Sequence, residues 1–323
     1  VDGTLDSVAS DGSITLDHLF QAVNPTDLAR RVLHDSILAS ASNSVETAFA
    51  DRPLVAARIR HSLTQTYISL GMPELAHEQA DKAYRILDSQ LGESDPETVE
   101  ALMSRAYVLH DLKRLDLAET DYARALAIRL ATPGTRPELI ADARRLLGGV
   151  IASRGRFDEA EVQLKQAIAE FKAAGVAELV TVQTTNALAD VYRRTERPDE
   201  ARRMLAQAIE LAEELPEEDQ WLTLQLSNNL GMLNMQLGRF DEAITAFRGL
   251  LPVVRSKYGS EDPRAFLVMR NLMTALNGAG QADEARMLAT ELERLQVQFL
   301  GADHAETQRT REFIEQLNAP SDP

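Results

Sequence analysis

The chain has 323 residues, of which 44% are hydrophobic, 26% are charged and only 5% are aromatic. Its 34 lysines and arginines and 50 aspartates and glutamates give a formal net charge of −16, which disfavours nucleic acids and anionic membrane surfaces as partners. The absence of cysteine excludes disulfides, thiolate metal sites and cysteine nucleophiles.

Residues 1–24 show no regular hydrophobic period, so we expect an irregular segment. They lack the basic and hydrophobic regions of a signal peptide, and no apolar run in the sequence is long enough to cross a bilayer. Residues 25–52 predict a single leading helix, from Pro25 to about Phe49. Because the chain starts at Val1 rather than at a methionine, we expect a preceding segment that carries a targeting signal or an activity.

Residues 53–300 repeat a phrase that is clearest in GRFDEAE (155–161) and GRFDEAI (238–244). Its alanine returns every 41 or 42 residues, at Ala76, Ala118, Ala160, Ala201, Ala243 and Ala285. Seven positions later, on the same helical face, stand Ala83, Ala125, Ala167, Ala208, Leu250 and Leu292. Small residues on one face let two helix axes approach closely, so both sets predict the contact between paired helices.

A second set of positions keeps the same interval and marks the end of every second helix, where glycine adopts a left-handed conformation at no steric cost. These glycines are Gly92, Gly134, Gly175, Gly259 and Gly301, and Glu217 stands at the one equivalent position without glycine. Asp95, Asp262 and Asp303 follow three of them and predict the start of the next helix. Each unit is therefore expected to be a helix, a tight turn, a second helix and a loop.

Three further positions depart from the repeat pattern. Lys113 and Glu196 stand where glycine is expected in the tight turn, which predicts altered turns in the second and fourth repeats. Arg105 stands where the other repeats favour leucine.

The carboxy-terminal end predicts one more helix, Asp303 to Leu317, within a capping segment 301–318, and then a frayed tail at 319–323. The predicted fold is thus all-α. It is a right-handed α-solenoid superhelix of six helix pairs with single flanking helices.

The phrases LGESDPETVEAL, YGSEDPRAF, LGADHAETQ and NNLGMLNMQLGRFDEA resemble the tetratricopeptide repeat, in the 42-residue form seen in kinesin light chains. FQAVNPTDLARRVLHDSI and FADRPLVAARIRHSLTQTYISLG are similar to the segment after the kinase domain of some bacterial serine/threonine kinases. The second resemblance implies the repeat region of a bacterial signalling protein. No kinase motif is present in this sequence, so any catalysis would lie upstream of Val1.

First helices of such an array are expected to line a concave groove, the default binding surface. The residues expected to project into it are Arg58, His61, Gln65, Ser104, Tyr107, Arg145, Asn186, Asp190, Arg193, Gln225, Asn228, Asn229, Arg270, Asn271 and Asn277. At aligned groove positions we count five arginines (58, 145, 193, 194 and 270) and four acids (Glu100, Asp111, Asp142 and Asp190). This near-neutral balance predicts an acidic or polar extended partner whose carboxylates pair with arginine. The resemblance implies that asparagines contact bound peptide.

We therefore predict a protein-interaction scaffold in the cytoplasm, or on the extracytoplasmic side if a membrane span precedes Val1. Self-association through the leading or final helix, as in a homodimer, is the alternative. The chain is not expected to be an enzyme or to bind a cofactor, because the sequence contains no catalytic motif. A metal site is not expected because no two of its six histidines have the helical i, i+4 spacing. Gly148 and Gly149 are interpreted as a point of close helix packing. A glycine-rich phosphate-binding loop would need a strand before it, and no strand is expected there.

Overall fold

The computed structural model describes residues 32–175, 178–216 and 221–318. The expected irregular segment 1–24, the start of the leading helix at 25–31 and the tail 319–323 lie outside these residues. The described residues divide into two compact units between Thr135 and Arg136. The domain boundaries predicted at residues 24, 52, 300 and 318 stay a prediction.

The described residues form helices and no strand. A π-helical turn, His34–Leu38, runs into α1. The first unit holds α1 (Ala39–Ala48), α2 (Pro53–Ser69), α3 (Pro73–Leu91), α4 (Pro96–Asp111) and α5 (Leu115–Ala131). The second unit holds α6 (Pro137–Ser153), α7 (Phe157–Ala174), α8 (Glu178–Arg194), α9 (Pro198–Glu213), α10 (Trp221–Gln236), α11 (Phe240–Tyr258), α12 (Pro263–Gly278), α13 (Ala282–Phe299) and α14 (Ala305–Asn318). From α2 to α13 the helices form six consecutive pairs, as predicted.

The repeating alanines lie at the contacts between paired helices. All six anchor alanines are fully buried, and the small or apolar residues seven positions further on are buried too. Gly148 serves the same purpose in α6, where a Cβ would lie 3.0 Å from Leu164 Cγ of α7. The small residues that recur at this interval in the sequence therefore mark where the two helices of each pair approach most closely.

The tight turn within each pair has the same conformation whether or not it contains glycine. Lys113 and Glu196 adopt φ of +61° and +56°, against +66° at Gly71. The Lys113 amide donates to the His110 carbonyl at 3.0 Å, as the Gly71 amide does to Ile68 at 2.9 Å. The prediction of altered turns was therefore wrong at the level of backbone, because packing of the two helices holds a non-glycine residue in the left-handed region.

The starts of three helices are capped by a side chain at the same place in the repeat. Asp95 accepts a hydrogen bond from the Glu97 amide at 2.8 Å, and Asp262 accepts one from the Arg264 amide at 2.8 Å. At α14, the prediction that Asp303 caps the helix was wrong by one residue. There His304 Nδ1 accepts from the Glu306 amide at 3.2 Å.

Polar bridges join the helices of the first unit. Arg60 is buried in α2 and donates to Gln79 Oε1 of α3 at 2.7 Å. Arg105, the residue at a leucine position, makes a bidentate pair with the buried Asp121 at 2.8 Å for both bonds, and a bond to Asp81 at 3.1 Å. Arg105 thus ties α4 to both α3 and α5.

An apolar core of the second unit includes the fully buried Phe247, Met269, Leu276 and Leu292. The last helix, α14, covers the end of this core with Phe313, Ile314 and Leu317, whereas Arg309, Glu312 and Glu315 on its other positions are more exposed. An apolar inner face and a polar or charged outer face suit a helix that covers the end of an apolar core.

Candidate functional site

The first helices of the second unit carry a row of asparagines, which we call the asparagine ladder: Asn186 of α8, Asn228 and Asn229 of α10, and Asn271 of α12. Asn229 Nδ2 donates to Asn186 Oδ1 at 3.3 Å, and Asn271 Nδ2 donates to Asn228 Oδ1 at 2.8 Å. Each bond spans 43 residues, so it joins one repeat position to the following position of the next repeat. The ladder therefore fixes the amide planes of successive repeats relative to one another.

The ladder leaves hydrogen-bonding capacity for a ligand. A carboxamide has two N–H donors and an oxygen that can accept two bonds, and each inter-repeat bond uses only one donor and one acceptor site. Asn186, Asn228 and Asn229 are half-buried, while Asn271 is buried. Three of the four amides are therefore accessible to a partner on this face.

A hollow of about 210 Å³ lies beside the ladder between α8, α9 and α10. Asn186, Asp190, Arg193, Asn229 and Met232 contribute to its lining. Its polar rim and the exposed thioether of Met232 suit a side chain of moderate size.

The predicted groove arginines are paired with carboxylates of the chain itself. Arg145 contacts Asp142 at 2.7 Å, Arg193 contacts Asp190 at 2.5 Å, and Arg270 contacts Glu306 at 2.9 Å. A carboxylate of a partner would have to compete with these pairs. The asparagine amides make no ion pairs, so an uncharged polar group of a partner would not have to displace a carboxylate there.

In the first unit the predicted residues also interact across repeats. Arg58 makes a bidentate pair with Glu97 at 2.8 Å for both bonds, and this pairing lowers the pKa of the Glu97 carboxyl. Gln65 Nε2 donates to Ser104 Oγ at 3.3 Å. His61 is half-buried and Tyr107 is exposed, so both side chains reach the surface of this unit.

Two further predicted residues, Gln225 of α10 and Asn277 of α12, are exposed. Sequence reasoning missed Trp221, Met232 and Leu267, which are exposed apolar side chains on the same first helices. Leu267 could have been recognised, because the other five repeats have a polar residue at its position and a large apolar side chain is unexpected on a solvated face. Trp221 could not, because most other repeats have leucine or proline at its position.

Among the residues that the structure describes, no group of three or more His, Cys, Asp or Glu side chains is arranged to hold a metal ion. The described helices also include none with the length and apolar character of a transmembrane span.

A search of curated protein sequences finds no match to the chain. Among solved structures it is similar to BtubC (BKLC) from P. vanneervenii, with 21% identity and a TM-score of 0.60 over 70% of this chain and 90% of that one. It is also similar to a Rap protein crystallised with Competence and Sporulation Factor, with 13% identity and a TM-score of 0.53 over 81% and 74% of the two chains. A putative kinesin light chain from Podospora anserina matches with 18% identity and a TM-score of 0.44, over 76% and 97%.

The family profile described as the tetratricopeptide repeat matches residues 97–173, 139–214 and 222–296, which together make up more than half of the chain. Each segment begins in the first helix of a pair and ends in the second helix or, at 214, directly after it. The structural similarity to BtubC supports the same fold. The chain belongs to the tetratricopeptide repeat family.

Proposed function

We propose that the chain is a protein-interaction scaffold that binds an extended, polar segment of a partner protein along the asparagine ladder. The inter-repeat bonds Asn229 to Asn186 and Asn271 to Asn228 carry the proposal. They hold amides at regular steps along the second unit, and an extended peptide presents a backbone donor and acceptor at regular steps as well.

Preorganisation favours this face as the binding surface. An amide that is already held by a neighbouring repeat loses less side-chain entropy when it binds a ligand than a freely rotating one does. The tetratricopeptide fold is shared by many binding modules, and the similar Rap protein was crystallised with Competence and Sporulation Factor. We extend this mode to the present chain as part of the proposal.

A random peptide library displayed on phage, selected on the purified chain, supplies ligands without knowledge of the natural partner. Selected peptides are then titrated by calorimetry against Asn229→Ala and Asn228→Ala. We expect each substitution to weaken binding about fivefold to fiftyfold, since one or two hydrogen bonds are lost.

The matched control is Gln166→Ala in α7, a second helix. Gln166 is an exposed carboxamide that makes one hydrogen bond within its own helix, to Glu170 at 3.3 Å. Its removal deletes the same chemical group away from the ladder, so this variant should bind as the unaltered chain does. Equal affinities for all three variants would overturn the placement on the ladder.

The proposal also includes a role in signalling. We infer a regulatory region of a larger bacterial signalling protein, located in the cytoplasm, from the similarity of residues 20–37 and 49–71 to segments that follow bacterial kinase domains. Part of that similarity falls on residues before 32, outside the described structure. Sequencing the coding region upstream of Val1 and fractionating the native protein test both points.

Self-association is the second candidate, and the leading segment favours it more than α14 does. Val32, Leu33 and Ile37 are exposed there, whereas the exposed positions of α14 are mainly polar or charged. If this surface makes a homodimer, light scattering at micromolar concentration should show twice the mass of 35.7 kDa, and Ile37→Asp should restore the monomer. A monomer before substitution would remove this candidate.

A further inference from the structure

A second concave feature of the second unit differs from the ladder in chemistry. A cavity of about 840 Å³ lies between α10, α11 and α12, a volume in the range of about 300–1,000 Å³ that holds small organic ligands. Leu250, Val254 and Val268 form its buried floor, and Trp221 and Leu267 stand exposed at its rim. The interior is therefore suited to an apolar body.

The charged residues that line this cavity are both positive among those that the structure describes. They are Lys257 and Arg264, although the chain as a whole carries a formal charge of −16. The Arg264 guanidinium lies 3.5 Å from the centroid of the Tyr258 ring and contacts Asp262 at 2.7 Å, so its charge is already offset. The ammonium group of Lys257 lies 5.8 Å from the centroid of the same ring and has no carboxylate within 4.0 Å among the described residues.

We propose that this cavity binds a small amphipathic anion. Its apolar body would lie against Leu250, Val254 and Val268, and its carboxylate would meet the Lys257 ammonium group at the rim. An anion is favoured over a neutral ligand because an exposed ammonium group without a described carboxylate partner gains a charge-assisted hydrogen bond at little desolvation cost.

The site would also give the scaffold a regulator. Asn228 belongs to the asparagine ladder and lines this cavity, and Gln225 lies about one turn before it on α10. A bound anion would therefore compete with a partner at this end of the ladder. Anion binding itself does not depend on the proposed partner binding, so the two can be tested separately.

The test uses sodium dodecanoate below its critical micelle concentration, with no partner present. Trp221 is the only tryptophan of the chain, so its fluorescence reports on the rim of the cavity alone. We expect a saturable change in emission and a saturable calorimetric signal. Lys257→Gln should weaken dodecanoate binding about tenfold and leave binding of the uncharged dodecan-1-ol unchanged, because only the charge-assisted bond is lost.

Lys172→Gln, at an exposed lysine in the last turn of α7, makes the same charge change away from the cavity and should leave dodecanoate affinity unaltered. Leu267→Glu places a carboxylate at the rim and should weaken dodecanoate more than dodecan-1-ol. Absence of saturable binding to the folded chain would overturn the proposal. Equal effects of the Lys257 and Lys172 substitutions would overturn it too, because the rim lysine would then have no special role.

Discussion

A Cβ atom on Gly231 would lie 2.6 Å from two ring carbons of Phe247. Gly231 is buried in α10 and Phe247 is fully buried in α11, so the missing side chain is what allows these two helices to reach their observed separation. We therefore expect Gly231→Ala to lower the free energy of unfolding by about 1–3 kcal/mol, as overpacking of a filled core does. Urea denaturation measures the change.

The control for this substitution is Gly249→Ala in α11. A Cβ at Gly249 meets no atom within 4 Å, and alanine is the better helix former by about 0.5–1 kcal/mol. Gly249→Ala should therefore stabilise the chain. If both variants change stability in the same direction, close approach at Gly231 is not the reason for its glycine.

The left-handed residues Lys113 and Glu196 give a second prediction. An L-residue with a side chain loses about 1–2 kcal/mol in this conformation, and glycine recovers most of this at some cost in unfolded-state entropy. Lys113→Gly and Glu196→Gly should each raise the free energy of unfolding by about 0.5–1 kcal/mol, seen as a higher Tm. Gly155→Ala, at φ of +79°, should lower it. A lower Tm for both glycine variants would show that these side chains stabilise their turns.

His304, which caps the start of α14, gives a third prediction. Aspartate is a better acceptor for the free amides of a helix start than an imidazole nitrogen, and its charge also interacts favourably with the helix dipole. His304→Asp should raise the free energy of unfolding by about 0.5–1 kcal/mol, and His304→Ala should lower it by a similar amount. Identical melting curves for the two variants would mean that the bond from the Glu306 amide has no effect on stability.

A fourth prediction concerns replacement of Arg105 by leucine, the residue that the other repeats have at this position. Arg105→Leu would leave Asp121 buried without its bidentate partner, so we expect a loss of about 3–5 kcal/mol. At the position of Asp121 the fourth repeat has Met204. The double variant Arg105→Leu, Asp121→Met should regain most of the loss, and a double-mutant cycle from urea curves measures the coupling. Additive effects would contradict a direct pairing.

Two histidines of the first unit predict a dependence on pH. Burial lowers the pKa of His77, with nearby Arg114 adding to the effect, and burial likewise lowers the pKa of His110. Below the ordinary pKa of about 6.5 the unfolded chain therefore binds more protons than the folded chain. The contribution of the two neutral histidines to the free energy of unfolding is therefore fully present above about pH 6.5. It is lost as the pH falls from there through their lowered pKa values in the folded chain.

The double variant His77→Gln, His110→Gln should lose less stability than the unaltered chain between about pH 7.5 and about pH 5.5. Comparison of the two chains at each pH cancels the contribution of the carboxylates. Parallel stability curves would show that these histidines titrate alike in the folded and unfolded states.

The helix pairs could be predicted from the sequence because close packing restricts a position to small residues, as at Ala76 and Ala243, and a fixed interval makes this restriction visible. The turn at Lys113 could not, since tertiary packing there overrides a local preference for glycine. His304 was missed because an imidazole nitrogen is an uncommon cap. The pairing of Arg145 with Asp142 depends on side-chain rotamers, which the repeat interval does not encode.

The Nδ2 amide resonances of Asn186, Asn228, Asn229 and Asn271 offer the most direct test of the binding face. In a nuclear magnetic resonance titration of chain labelled with ¹⁵N-asparagine, a phage-selected peptide should shift these signals in proportion to its occupancy. Asn318, at the end of α14, should remain unshifted. If the chain is saturated with peptide and the four ladder amides do not shift, the proposal that the asparagine ladder binds the partner is contradicted.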